Sequence, residues 1–205
     1  MAELILIRHG KTAGNLLGRY IGSRTDEPLC DEGREGLAGK QLPEVERLYV
    51  SPMKRCVETA EILWPGFDRK KMQKVTDLRE CDFGDFENKN YKELSGNGDY
   101  QAWIDSNGTL PFPNGESMDA FKSRCLEAFA RIVEGVSGAE QEWIASGKTG
   151  IFRAGIVVHG GTIMAILEQY GYPKAAYFDY QVKNGCGYRL TPVEGTRLWN
   201  CLCLQ

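Results

Sequence analysis

Apolar residues in this chain fall into short runs, and between the runs lie stretches with a helical period. Residues 4–7 (Leu-Ile-Leu-Ile) are unbroken apolar, the pattern of a central strand buried on both faces. Residues 45–50, 155–158, 186–191 and 197–203 predict further strands, the last at a sheet edge. Asp31 can cap a helix that begins there, and Pro52 suits the first turn of a helix reaching Leu63. The longest helix is predicted to start near Ser117. Its apolar positions Met118, Phe121, Cys125, Leu126, Phe129, Ile132, Val133 and Val136 follow three- and four-residue steps. Another helix is predicted from about Gly161 to Tyr170. Strands alternating with helices predict an α/β domain, a three-layer α/β/α arrangement around a mainly parallel sheet. Residues 82–116 break this rhythm, being rich in Asp, Asn, Gly and aromatics with Pro111 and Pro113. They read as an insertion of short helices and loops over one sheet edge. No repeat or linker interrupts the rest, so residues 1–205 read as one domain.

Composition narrows the range of partners. Of the 205 residues 42% are hydrophobic and the formal net charge is −3, so there is no global basic field and nucleic acid is not an expected partner. An anionic small molecule would have to be drawn in by a local cluster of positive groups. The apolar run at the start of the chain is too short for a signal peptide or a membrane span, so a cytoplasmic protein with no membrane partner is expected. The seven cysteines include no C-x-x-C pair and read as reduced core thiols. Cys201-Leu202-Cys203 could clip a metal, but the spacing is also that of a strand core, and known metal sites need more ligands. Ser146-Gly147-Lys148-Thr149 looks like the end of a phosphate-binding loop. That loop requires glycine at position 142, which is Glu142, and the preceding residues 139–145 read as helix.

The chemistry concentrates at the two histidines. His9 follows Leu6-Ile7-Arg8 and His159 follows Val157-Val158; each ends an apolar run and is followed by glycine. Ligands of open α/β sheets bind beyond the carboxyl ends of the strands, so both histidines are expected at one rim. Either alone could merely pack or cap a strand end; two sharing one local pattern, one of them beside Arg8, favour a site. A neutral imidazole nitrogen can attack phosphorus, and a guanidinium fork matches phosphate oxygens. Glycine lets backbone N–H groups approach an anion. A second, protonated histidine could stabilise the equatorial oxygens.

Five ordered blocks carry a family resemblance: residues 6–15, 51–60, 78–87, 112–117 and 157–162. In this order and spacing they resemble the histidine phosphatase superfamily, in its phosphoglycerate mutase-like branch. The resemblance implies that His9 is the phosphorylated nucleophile and that Arg8, Arg55 and His159 hold the transferring phosphoryl group. It implies a phosphate contact for Asn15, and backbone N–H contacts to phosphate or substrate at Gly22 and Gly160. Glu80 matches the acid that protonates the leaving oxygen and then activates water, with Asp82 as the reserve candidate. No metal or other cofactor is expected, because two arginines and a histidine supply the positive charge.

The implied activity is hydrolysis of a small-molecule phosphate monoester. Residues 80–87 are similar to the α-ribazole-5'-phosphate phosphatases of cobalamin assembly, and the same pattern occurs in broad-specificity relatives. A mutase would use the same residues and return the phosphate to another hydroxyl; the chain is short for one. A module that only binds phosphorylated ligands would be expected to have lost one of His9, Arg8, Arg55 or His159, and all four are present. Tyr20, Phe83, Phe86, Tyr91 and Trp103 can floor a substrate pocket or simply pack the insertion. Oligomeric state, and whether Lys11 or Arg24 guards the pocket mouth, stay open at this level.

Overall fold

A computed structural model describes residues 2–205 of the chain. Its centre is a seven-stranded mixed sheet. The strands are β1 (Glu3–Arg8), β2 (Arg47–Val50), β3 (Gln73–Lys74), β4 (Arg153–Val158), β5 (Gly171–Tyr172), β6 (Gly187–Pro192) and β7 (Trp199–Leu204), in the order β3-β2-β4-β1-β6-β7-β5. β1, β2, β3 and β4 run parallel; β6 pairs antiparallel with both β1 and β7. The pleat divides the unbroken apolar run of β1 between two cores. Leu4 and Leu6 join one hydrophobic cluster and Ile5 and Ile7 the other, as successive side chains of a strand must. Each such side chain contributes about 1.5–3 kcal/mol when fully buried, which accounts for a strand that is apolar at four positions running.

Six helices complete the fold: α1 (Ala13–Leu16), α2 (Asp31–Glu35), α3 (Lys54–Leu63), α4 (Gly98–Asp105), α5 (Met118–Ala145) and α6 (Gly160–Tyr170). Cys56, Ala60 and Leu63 of α3 pack in the Ile5/Ile7 cluster, and Ala128, Phe129, Ile132 and Val136 of α5 in the Leu4/Leu6 cluster. Ser117 caps α5 by accepting the Ala120 N–H. The helix continues beyond Val136 to Ala145. Two capping expectations are corrected. Cys30, not Asp31, is the N-cap of α2, its Sγ accepting the Gly33 N–H, and Asp31 is the first helical residue. Pro52 stands before the N-cap Met53 rather than in the first turn of α3. Ser146 ends α5 and Gly147 has a φ of +80°. The Ser-Gly-Lys-Thr stretch therefore sits at the carbonyl end of a helix, the wrong end for an anion.

Between β3 and α5 the chain forms 3₁₀ turns and the single α-helix α4. Cys81, Phe86, Leu94 and Phe112 form a third cluster there with Phe121 and Cys125 of α5 and Ala165 of α6. This segment lies over the end of the sheet where β1, β2 and β4 finish. Cys201 and Cys203 lie on β7, half-buried and exposed, both as free thiols. Among the described residues no three His, Cys, Asp or Glu side chains gather as a metal site, and no helix is long and apolar enough to cross a membrane.

Gly187 of β6 faces Ile7 just behind the rim. A Cβ there would stand 1.9 Å from the carbonyl oxygen of Leu6, a backbone atom that cannot move without opening the ladder. Gly187→Ala is expected to destabilise the protein by about 3 kcal/mol, the upper end of overpacking costs; a urea melt with an unchanged midpoint would refute this.

Candidate functional site

The site is built on three neighbouring strand ends. β2, β4 and β1 are parallel and consecutive in the sheet, and the residues that follow them are Ser51, His159 and His9. The ladder carries on one step beyond each pair: Ser51 N–H donates to Val157 O and His9 N–H to Val158 O, both at 2.9 Å. Strand register thus sets the two imidazoles side by side. Their ring centroids are 5.2 Å apart, edge to face at 66°.

His9 is buried, and its Nδ1 lies 2.7 Å from the carbonyl oxygen of Gly10. A carbonyl only accepts, so Nδ1 carries the proton. Burial, then Arg55 and Arg8, push the His9 pKa well below its ordinary value, which leaves Nε2 with a free lone pair. The turn holding His9 is clamped from elsewhere in the fold. Gly10 N–H donates to Thr59 Oγ1 at 2.9 Å, and Thr59 Oγ1 donates to Arg55 O. Asn184 donates to the His9 carbonyl (3.1 Å) and to Asn15 Oδ1 (3.2 Å), and Gly185 N–H donates to the carbonyl of Arg8.

His159 is fully buried and is the N-cap residue of α6. Its Nε2 lies 2.7 Å from Ser51 Oγ and 3.6 Å from the thiol of Cys56. Burial pushes that thiol up to about 12, so it stays protonated. The expectation of a protonated His159 is corrected. Burial, Arg55, His9 and Arg8 all hold its pKa well below the ordinary value, so the imidazole is neutral and offers a single ring N–H.

Two guanidiniums supply the positive charge. Arg55, from the first turn of α3, is fully buried; it donates to the carbonyls of Thr25 (2.8 Å) and Gly22 (3.0 Å). Arg8 donates to the carbonyl of Val182 at 2.7 Å. The Nε of each is buried with no hydrogen-bond partner. Among the described residues neither has a carboxylate within ion-pair distance. Two charges have thus been taken into the protein and left without a counter-ion.

Glu80 is the buried carboxyl at this centre. Its Oε1 accepts the Cys81 N–H at 3.0 Å, and the Gly161 N–H at the start of α6 also donates to the carboxyl. Burial outweighs these donors and both arginines, so its pKa is raised. Asp82, the reserve candidate, points elsewhere: it pairs with Arg24 at 2.8 Å and accepts the Gly84 N–H. Glu80 lines a cavity of about 300 Å³ together with Arg8, His9, Asn15 and Gly160; Arg55 and His159 lie behind its wall. Lys11 pairs with Glu32 and Arg24 with Asp82, and neither lines this cavity.

The sequence reading and the geometry differ at the glycines. Gly22 N–H donates to Glu87 Oε1 at 2.9 Å. That amide is taken, and Gly22 is packed against Cys81 and Phe83 outside the cavity wall; its expected contact with phosphate is corrected to a structural one. Gly161 was missed. A Cβ there would stand 2.7 Å from Glu80 Oε1, so only glycine lets the carboxyl rest on the helix end. Ser51 and Thr59 lay inside quoted blocks without a role, and Asn184-Gly185 carried only a turn signal. Asn15 lines the cavity, but its Oδ1 is occupied by the Thr12 N–H in the capping box of α1 and by Asn184.

Known proteins show the same arrangement of chain. The family model described as "Histidine phosphatase superfamily (branch 1)" matches residues 4–203. An adenosylcobalamin/α-ribazole phosphatase of Salmonella typhimurium is 28% identical over 203 residues, 94% of this chain and 92% of that protein. A phosphoglycerate mutase-like protein 4 of Arabidopsis thaliana is 30% identical over 178 residues, 82% of this chain and 70% of that one. In the α-ribazole phosphatase from Shigella flexneri the fold recurs with a TM-score of 0.75 over 98% of this chain and 95% of that one, at 24% identity. The family match spans the sheet from β1 to β7 and takes in both histidines, both arginines and the buried glutamate. The chain therefore belongs to the histidine phosphatase superfamily, branch 1, and is an enzyme of the phosphatase class.

Proposed function

We propose that this protein hydrolyses a small-molecule phosphate monoester through a phosphohistidine on His9, without a metal ion. The observation that carries the proposal is the pair of guanidiniums, Arg55 fully buried and Arg8 half-buried, each with a buried, unpartnered Nε, set around two imidazoles whose pKa values are held well below the ordinary one. A site with that charge and no anion of its own is suited to a phosphate dianion.

In the first step Nε2 of His9 attacks phosphorus as the ester P–O bond breaks, and the Glu80 carboxyl gives its proton to the departing alkoxide. In the second step water attacks the phosphohistidine, the N–P bond breaks, and Glu80 takes up the proton. Each residue suits its part. The Gly10 carbonyl keeps the Nδ1 proton and so directs attack through Nε2. The raised pKa of Glu80 favours the protonated acid that the first step needs. Arg8 and Arg55 balance charge on the equatorial oxygens, and His159 adds a neutral donor from behind. Asn15 and the Gly160 N–H, at the start of α6, are assigned to the phosphate as well.

For the alcohol, α-ribazole 5'-phosphate is the proposed substrate. It is supported by the near end-to-end relative named for that activity and by aromatic cavity walls that include Tyr20, Phe83 and Trp103.

Phosphate release from α-ribazole 5'-phosphate is expected to persist in excess chelator and to vanish in His9→Ala; loss of activity on chelation would sink the metal-free reading. Acid-labile, base-stable label from ³²P-ester should appear on the wild-type chain and not on His9→Ala. Glu80→Gln is expected to slow hydrolysis of alkyl esters by about 10²–10⁴-fold, with a much smaller loss on p-nitrophenyl phosphate, whose leaving group needs no proton; equal losses would remove Glu80 from the acid role. Because a raised carboxyl pKa means the acid form is lost as pH climbs through it, kcat/KM for alkyl esters should fall on the alkaline side of the ordinary carboxylate range. Glu80→Gln should abolish that limb in a pH–rate profile.

A further inference from the structure

The cavity beyond the phosphate end has a composition of its own. Tyr20, Phe83, Trp103 and Phe112 line one part of it and Tyr177 and Phe178 another. The rings of the first group interlock: Tyr20 and Phe83 are 5.6 Å apart between centroids, Phe83 and Phe112 5.0 Å, and Trp103 and Phe112 5.2 Å. Among the described residues the only cations that line the cavity are Arg8, at the phosphate end, and Arg19. Arg19 is already bound to Glu93 at 2.8 Å and to the carbonyl of Asn88. An alcohol bearing a carboxylate or a second phosphate would find no free cation here beyond the phosphate end.

Phe178 stands apart from the other rings. It is 65% exposed, so its ring belongs to the cavity's opening and not to its packed wall. It is nevertheless held in place. Its 3₁₀ turn, Tyr177–Tyr180, is closed by Asp179 accepting the Ala176 N–H at 2.9 Å. Its ring meets Tyr177 edge-on at 5.0 Å, and Tyr177 is itself fixed by Lys122 over its face and by its hydroxyl donating to Gly161 O. A rigidly mounted, largely exposed aromatic ring at the mouth of an aromatic cavity is a surface for a flat apolar group.

We propose that Phe178 is a specificity-determining residue: it stacks on an uncharged, flat aromatic group carried by the alcohol part of the ester, and so selects such esters over aliphatic and anionic ones. The inference rests on the phosphatase reading and adds to it the chemical class of the leaving group and the residue that reads it.

Two esters with the same alkyl leaving oxygen separate this from the chemistry: 2-(1-naphthyl)ethyl phosphate and butyl phosphate. The wild-type protein is expected to favour the naphthyl ester by at least about tenfold in kcat/KM, the scale of one good aromatic contact. 3-Phosphoglycerate and phosphoserine should fare no better than butyl phosphate. Phe178→Ala should shrink the naphthyl-to-butyl ratio by about tenfold, mainly through KM, and Phe178→Tyr should keep it. A ratio that is the same in Phe178→Ala and wild type overturns the assignment, as does a wild-type protein that prefers the anionic esters. Should the wild type release phosphate from neither of these esters nor from α-ribazole 5'-phosphate, the phosphatase reading itself falls. Binding to the His9→Ala protein, measured calorimetrically, then judges the subsite alone: tighter binding of the naphthyl ester that weakens when Phe178→Ala is added supports it, and equal binding of the two esters overturns it.

Discussion

Two guanidiniums without an ion-pair partner among the described residues, Arg55 buried and Arg8 half-buried, govern this centre. Removing a guanidinium from water costs on the order of several kcal/mol unless its donors are met. Here they are met only in part, and by neutral carbonyls: Thr25, Gly22 and Ile21 for Arg55, Val182 for Arg8. Those carbonyls belong to loops that the two arginines hold in place. The same charges set the state of every neighbour. Burial lowers the pKa of both imidazoles and the two charges lower it further; they also draw on Glu80 without overcoming its burial. The imidazoles, the buried carboxyl and the two guanidiniums are thus three parts of one electrostatic arrangement.

Strand register supplies the geometry in which that arrangement works. Arg8 pairs with Val158 across two parallel central strands, so the residues one step further, His9 and His159, are neighbours by construction. The supports that hold it come from distant parts of the chain: Thr59 from α3, Asn184 and Gly185 from the loop before β6, and Gly161 from the first turn of α6.

Much of this was legible in the sequence, and the limits have physical causes. The strands β1 and β4 and the helix α5 are read from the apolar pattern because both faces of the strands and one face of the helix are buried, and α6 reads as an apolar run because it is buried from Thr162 to Leu167. The two-residue strands β3 and β5 carry no periodicity at all. Cys30 was not foreseen as a cap because a thiol seldom takes the place of a hydroxyl or carboxylate there. At the site, His9, Arg8, Arg55, His159 and Glu80 were named from ordered blocks, and the structure brings all five together. Gly22 differs because the Glu87 carboxylate, 65 positions on, takes its amide, a contact that no local pattern announces. Asn184 was silent for the same reason: its donors act on residues some 170 positions away. The protonation of His159 was misjudged because its charge state depends on burial, which sequence spacing does not report.

The segment over the rim has a hydrophobic cluster of its own, built on Cys81, Phe86, Leu94 and Phe112 and resting on Phe121, Cys125 and Ala165. None of these side chains belongs to the two clusters that flank the sheet. A substitution inside this cluster is therefore felt first by the cavity walls that rest on it. It reaches the strands that carry the histidines only through shared neighbours such as Tyr177, which packs against this cluster and against one of the two beside the sheet.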